Sequence, residues 1–149
     1  MKKIILLMLA FILAACSAGA TTEFDKNLAK WNEANISHYR YSLFIGCFCA
    51  FRDQMPLTIE VKDGEVVSMT RPDGTTVNST DPSYDIFESY ATIDRVFLKL
   101  EADQTGDADE VTVTFDSTYG FPVNVAVDYI KEAVDDEISY QVSNFEVLK

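Results

Sequence analysis

Two cysteines separated by one residue form the most reactive pattern in the chain. Cys47 and Cys49 flank Phe48, and on an ideal strand residues i and i+2 lie about 6.6 Å apart at Cα, near the upper limit of about 6.8 Å for a disulfide. A bridge therefore needs a local kink, closes a very small loop and adds little chain-entropy stabilisation. A structural bridge at a strand end is the favoured interpretation. A thiol redox pair is the alternative, and metal binding or inert reduced thiols are the remaining ones.

Other reaction chemistry has little support in the sequence. Two thiolates need further metal ligands, and there is no second Cys or His cluster. The single histidine, His38, precedes Cys47 on the same predicted strand, roughly 30 Å away and on the opposite face, which excludes a Cys–His dyad. No nucleophile elbow, phosphate-binding glycine loop or zinc-protease motif is present. The sequence therefore indicates no catalytic residue, metal centre or cofactor, although carboxylates paired on strands would leave no linear signature.

Carboxylates cluster beside the connection between the last two predicted strands. The cluster comprises Asp128, Glu132, Asp135, Asp136 and Glu137. Several carboxylates on one loop could bind calcium, but their spacing does not match an EF-hand loop. A solvated acidic hairpin end is the favoured interpretation, with calcium a minor hypothesis.

The N-terminus has the pattern of a bacterial lipoprotein signal peptide. Lys2 and Lys3 precede an apolar run from Ile4 to Leu13, which is shorter than the roughly 20 residues that span a bilayer. Residues 13–16, Leu-Ala-Ala-Cys, resemble the lipobox, in which the cysteine thiol receives a diacylglyceryl group. We therefore expect residues 1–15 to be cleaved, Cys16 to be lipidated, residues 16–23 to form a tether, and residues 24–149 to form one domain.

The remaining composition limits the partners. Acidic residues outnumber basic ones 24 to 12 and give a formal net charge of −12, so nucleic acid and anionic lipid headgroups are poor partners. We expect the membrane, through the lipid, and an unidentified protein or small-molecule ligand as partners. The protein is then exported and anchored to a bacterial membrane. By resemblance to the lipoprotein sorting rule, Ser17 after the cysteine favours the outer membrane, facing the periplasm, if the host has two membranes.

Hydrophobic periodicity predicts two helices and six strands. Phe24, Leu28 and Trp31 share one helical face, and Thr92 can cap a second helix that ends near Gly106. Period-two alternation predicts strands near residues 39–49, 57–61, 67–69, 111–115, 123–127 and 138–147. The fold class is therefore α+β, with the order helix, three strands, helix, three strands and a small antiparallel sheet or two such sheets.

Two details of strand register follow from the apolar pattern. A three-residue loop with Gly64 in the left-handed conformation would pair Ile59 with Val67, and we prefer it to a two-residue Asp-Gly turn. The apolar register shifts after Val142 to Phe145, which predicts a bulge near Ser143 or Asn144.

Several short blocks together resemble a family of bacterial lipoproteins of unknown function that carry one domain. The blocks are Tyr39-Arg40-Tyr41, Cys47-Phe48-Cys49, residues 61–68 (Val-Lys-Asp-Gly-Glu-Val-Val-Ser), Thr92-Ile93-Asp94, Phe115-Asp116, residues 119–122 (Tyr-Gly-Phe-Pro), residues 134–137 (Val-Asp-Asp-Glu) and Ser139-Tyr140. Their order and spacing, more than any single block, carry the resemblance. It implies no activity, because the family is itself uncharacterised.

Two classes of function follow. The first is a membrane-anchored binding or interaction module of the cell envelope, and the second is a thiol redox protein that uses Cys47 and Cys49. The many aromatic residues belong mostly to the core, and residues 84–90, predicted to be loop, are the first place to look for an aromatic ligand groove.

Overall fold

One antiparallel sheet of six strands organises the chain in the computed structural model, which describes residues 22–149. The elements are α1 (Glu23–Ala34), β1 (His38–Gly46), a 3-10 turn (Arg52–Gln54), β2 (Leu57–Lys62), β3 (Glu65–Thr70), α2 (Tyr84–Glu88), α3 (Ile93–Thr105), β4 (Glu110–Phe115), β5 (Pro122–Asp128) and β6 (Ile138–Val147). The strand order is β3-β2-β1-β6-β5-β4. The predicted α+β class and element order are confirmed, apart from the extra short helix α2 and the 3-10 turn.

The expected signal peptide, Cys16 and most of the tether lie outside the described residues. Within residues 22–149, no helix combines the length and apolar character that a membrane crossing requires. The first helix begins at Glu23, where Thr22 accepts a hydrogen bond from the Asp25 N–H and the Asp25 carboxylate accepts one from the Thr22 N–H. This capping box places Thr22 and Glu23 in the helix start, although we expected them in the tether.

The sheet buries one face, which carries the core. In β1, Tyr39, Tyr41, Leu43 and Ile45 are each at most 2% exposed, whereas the alternate residues point to the opposite face. Helix α1 packs on the buried face through Trp31, whose ring meets those of Tyr39, Phe121 and Phe145 edge-on. The opposite face of the sheet is left open.

Tyrosine hydroxyls tie the start of α3 to the central strand. The Thr92 side chain caps α3 by accepting from the Arg95 N–H. The Tyr39 hydroxyl accepts from the Ile93 N–H at 3.1 Å, and the Tyr41 hydroxyl donates to the Tyr90 carbonyl at 2.7 Å. These bonds satisfy backbone groups that burial would otherwise leave unpaired.

A buried carboxylate joins the end of α3 to the sheet. Asp103 is 4% exposed and accepts from the Tyr140 hydroxyl at 3.1 Å, the Tyr129 hydroxyl at 3.2 Å and the Lys99 ammonium at 2.5 Å. Burial lowers the pKa of Lys99, but the hydrogen bond and charge of Asp103 outweigh it, so this pKa is raised. Burial, followed by the charge of Asp103, also raises the pKa of Tyr140.

The predicted three-residue hairpin loop was wrong. Asp63 and Gly64 form a two-residue turn with φ of 52° and 82°, as a type I′ turn requires. A bulge at Val67 then shifts the register, so that Ile59 pairs with Met69. Because of the bulge, the Met69 side chain points to the buried face of the sheet and lies in the core.

The predicted bulge in the last strand is confirmed. Ser42 pairs with Ser143, but Arg40 pairs with Glu146, so β6 carries one extra residue. Asn144 has a φ of 51° at this point. Because of the bulge, the Phe145 side chain points to the buried face of the sheet, where its ring packs against Trp31.

Replacing Asp103 tests the role of the buried carboxylate. Asp103→Ala removes the acceptor for two tyrosine hydroxyls and the partner of Lys99, so we expect the free energy of unfolding to fall by about 2–3 kcal/mol. Urea unfolding followed by circular dichroism measures it. Glu101→Ala, an exposed acid on the same helix, serves as the control and should change stability by less than about 0.5 kcal/mol. Equal effects of the two substitutions would contradict the assignment.

Candidate functional site

A row of small side chains crosses the open face of the sheet. Gly46, Ser139, Ala126 and Thr112 are direct partners on β1, β6, β5 and β4. They form the floor of a depression that we call the sheet groove. Three hollows of about 380, 290 and 360 Å³ lie along it, and Ser139 lines all three.

Gly46 keeps the β1 end of the floor low. A Cβ atom at this position would lie 2.5 Å from Ser139 Oγ and 3.2 Å from Cε1 of Phe44. The first distance is too short for two unbonded atoms, so a larger residue would displace one of these side chains.

A second row of partners forms one wall of the groove. Thr114, Asn124, Gln141 and Phe44 lie opposite one another across the same four strands. The Gln141 amide donates to Asn124 Oδ1 at 2.7 Å, and the Asn124 amide donates to Thr114 Oγ1 at 3.3 Å. These bonds hold the amides in place beside the half-buried ring of Phe44.

Carboxylates form the other wall. Glu110 lies opposite Asp128, and both line the groove together with Glu137 and Asp135. Burial, followed by the charges of Asp136 and Glu137, raises the pKa of Asp128. Among the described residues, Asp128 Oδ1 and both carboxylate oxygens of Asp136 are inaccessible and have no hydrogen-bond partner.

The cysteine pair lies at one end of the groove. Cys47 and Cys49 form a disulfide with a Cα–Cα distance of 5.2 Å. The shortening from an ideal strand is possible because β1 ends at Gly46 and the chain bends. The ring of Phe48, between the two cysteines, is 86% exposed, and Arg52 lines the same hollow.

The structure thus brings together two features that were separate in the sequence, the cysteine pair and part of the acidic cluster. Cys47, Asp135 and Glu137 line one hollow. Within residues 22–149, no group of three or more His, Cys, Asp or Glu side chains is arranged to hold a metal ion. His38 lies at the other end of β1, where Nε2 is 3.0 Å from Glu60 Oε1.

Residues 84–90, the first place to look for an aromatic ligand groove, instead contribute two rings to the core. Residues 84–88 are helix α2, and Phe87 and Tyr90 are at most 2% exposed. Their rings pack on Phe51 and Tyr140 in the core. The aromatic residues that line the sheet groove are Phe44 and Phe48. In the sequence, they stood out only as apolar residues on the otherwise polar face of the first predicted strand.

The profile of a family of unknown function, DUF6174, matches residues 23–147. The chain belongs to this family. The match spans every helix and strand described above. No curated protein and no solved structure matched the chain.

Several blocks of this DUF6174 domain hold the fold together. The Tyr39-Arg40-Tyr41 block anchors the start of α3, and Tyr140 binds Asp103. Gly120, with a φ of 83°, lies so close to α1 that a Cβ atom would meet the Asn27 carbonyl oxygen at 2.5 Å. The blocks that reach the groove are Cys47-Phe48-Cys49, residues 134–137, and Ser139.

Removing one groove charge should stabilise the fold in a pH-dependent way. The pKa of Asp128 is raised above its ordinary value, so the protonated carboxyl is favoured in the folded state and its contribution is lost as pH rises through the folded pKa. We expect Asp128→Asn to raise the melting temperature at pH 7 and to have little effect near pH 3, below the unfolded pKa of about 3.9.

Thermal unfolding followed by circular dichroism at both pH values checks this. Asp107→Asn, at an exposed position away from the groove, is the matched control and should leave the melting temperature nearly unchanged at pH 7. A lower melting temperature for Asp128→Asn at pH 7 would show that the carboxylate stabilises the fold.

Proposed function

We propose that the protein is an exported lipoprotein whose domain is a binding module of the bacterial cell envelope. The sheet groove carries this proposal. An open sheet face with a floor of small residues, two chemically different walls and exposed apolar side chains at one end is suited to holding a ligand. The function of the family is unknown, so the proposal rests on this chain's own residues.

The anchor is supported by the sequence of the first sixteen residues. The two lysines, the short apolar run and the residues before Cys16 fit an export signal followed by lipidation. Two or three acyl chains would hold the protein firmly, because one chain alone binds a membrane only marginally. The capping box at Thr22 starts the domain six residues after Cys16, so the tether is short.

Thiol redox chemistry is the second candidate, favoured by the position of the disulfide. Cys47 and Cys49 are partly accessible at the end of the groove, where a substrate disulfide could reach them. In the reduced form, one thiolate would attack that disulfide, break its S–S bond, form a mixed disulfide and release one substrate thiol. The second cysteine would then attack the mixed disulfide and release the other substrate thiol. The substrate would be reduced and the pair oxidised.

One mass-spectrometric experiment tests both the anchor and the state of the thiols. In protein from its own host, alkylated before unfolding, we expect the chain to start at a diacylated Cys16 and both Cys47 and Cys49 to resist labelling until reductant is added. The Cys16→Ser variant should carry no lipid and leave the membrane fraction. An unlipidated Cys16 would contradict the anchor, and a pair that labels before reduction would favour redox chemistry.

Site-specific photo-crosslinking tests binding at the groove. A photo-reactive residue in place of Thr112, on the floor, should give a discrete adduct in intact host cells, identified by its mass. The same residue in place of Gln104, exposed on α3 and away from the open face, should give none. Equal adducts at both positions, or none at either, would contradict a binding role for the groove.

A further inference from the structure

We propose that the sheet groove binds an extended polypeptide segment that carries Lys or Arg at alternate positions. This inference rests on the proposed binding function and adds the chemical class of the ligand. Four observations carry it: the row of carboxylates, the shortage of cations beside them, the spacing of the strands, and the apolar side chains at the groove end.

The carboxylates stand in a row on neighbouring strands. Glu110 on β4 faces Asp128 on β5. Val127 on β5 pairs with Ile138, the first residue of β6. The residues that follow and precede this pair, Asp128 and Glu137, come next along the two chain segments. All three residues line the same hollow.

In the part of the chain that the structure describes, few cationic side chains lie close enough to neutralise this row of carboxylates. Lys131 Nζ lies 3.9 Å from Glu110 Oε2, and both side chains are more than half exposed, so the attraction is weak. Arg52 lines the adjoining hollow beside the disulfide, together with Glu137 and Asp135. Burial raises the pKa of Asp128, and the charges of the neighbouring carboxylates raise it further. A cationic ligand would relieve that second, repulsive contribution.

The spacing suits an extended chain. Neighbouring strands lie about 4.8 Å apart, so three carboxylates in a row span about 10 Å. Side chains i and i+2 of an extended peptide lie on one face about 6.6 Å apart. Two alternate basic residues can therefore each reach a carboxylate while the peptide lies over Ala126 and Thr112, which leave room for its backbone.

Apolar side chains at the groove end offer a second kind of contact. The rings of Phe48 and Phe44 line the hollow there, and Val134, beside Asp135, is 83% exposed. An apolar residue two positions beyond the basic pair lies on the same face of the peptide and would cover Phe48. An arginine at that position could instead stack on the ring.

Fluorescence anisotropy with the full mature chain in detergent tests the ligand class. The probe is a labelled hexapeptide with lysines at its second and fourth positions and phenylalanine at its sixth, so that all three side chains lie on one face. We expect saturable binding that weakens as salt is raised, and no binding of the same peptide with glutamates in place of the lysines. The triple variant Glu110→Gln, Asp128→Asn, Glu137→Gln should raise the Kd by about tenfold or more.

A matched variant separates a specific site from net charge. Glu33→Gln, Glu101→Gln, Asp107→Asn removes the same number and type of acids from exposed positions away from the groove, and its Kd should stay within about twofold of the parent value. Thermal unfolding confirms that both variants fold.

Three outcomes would overturn the inference. Equal weakening by both triple variants would indicate attraction to the overall charge alone. Binding of spermidine or Ca²⁺ as tightly as the peptide would indicate a small cation as the ligand. If the peptide does not bind, the inference fails, whereas a specific adduct at Thr112 would still support the proposed binding function; if the adduct is also absent, both fail.

Discussion

The burial of only one sheet face is the constraint on which the rest of the structure depends. Period-two alternation sends half of each strand toward α1 and α3, where these side chains form the core. The side chains on the open face must remain compatible with water, but packing does not determine which residues they are. That freedom lets Gly46, Ala126 and Thr112 form a groove floor while carboxylates gather at one wall. The covered face therefore accounts for stability, and the open face is available for recognition.

Hydrogen bonds from buried tyrosines make the one-sided fold possible. A single sheet with helices on one side leaves the ends of those helices close to the core, where unpaired backbone groups are costly. Tyr39 and Tyr41 pair such groups at the start of α3, and Tyr140 reaches Asp103 at its end. Each tyrosine fills apolar volume with its ring and pairs a polar group with its hydroxyl. Packing and these hydrogen bonds thus explain the three tyrosines.

The sequence predicted what depends on local pattern and missed what depends on strand order. The alternation, the Thr92 cap and the bulge near Asn144 are local, so the elements and the buried face followed from residue types. The Asp63-Gly64 turn was misjudged because a compensating bulge at Val67 allows the tighter loop. The groove could not be found, because its floor takes one unremarkable residue from each of four strands that are distant in sequence. Only the sheet order places them in one row.

The disulfide between Cys47 and Cys49 is a structural feature that lies at the end of the proposed binding groove. β1 ends at Gly46, and a free chain could fold the Phe48 ring onto nearby apolar surface, where burial would contribute about 2 kcal/mol. The bond between Cys47 and Cys49 restricts the backbone on both sides of Phe48, and the ring stays 86% exposed. A bridge over so few residues constrains little of the unfolded chain. The constraint is local to Phe48, whose ring lines the same hollow as Asp135 and Glu137.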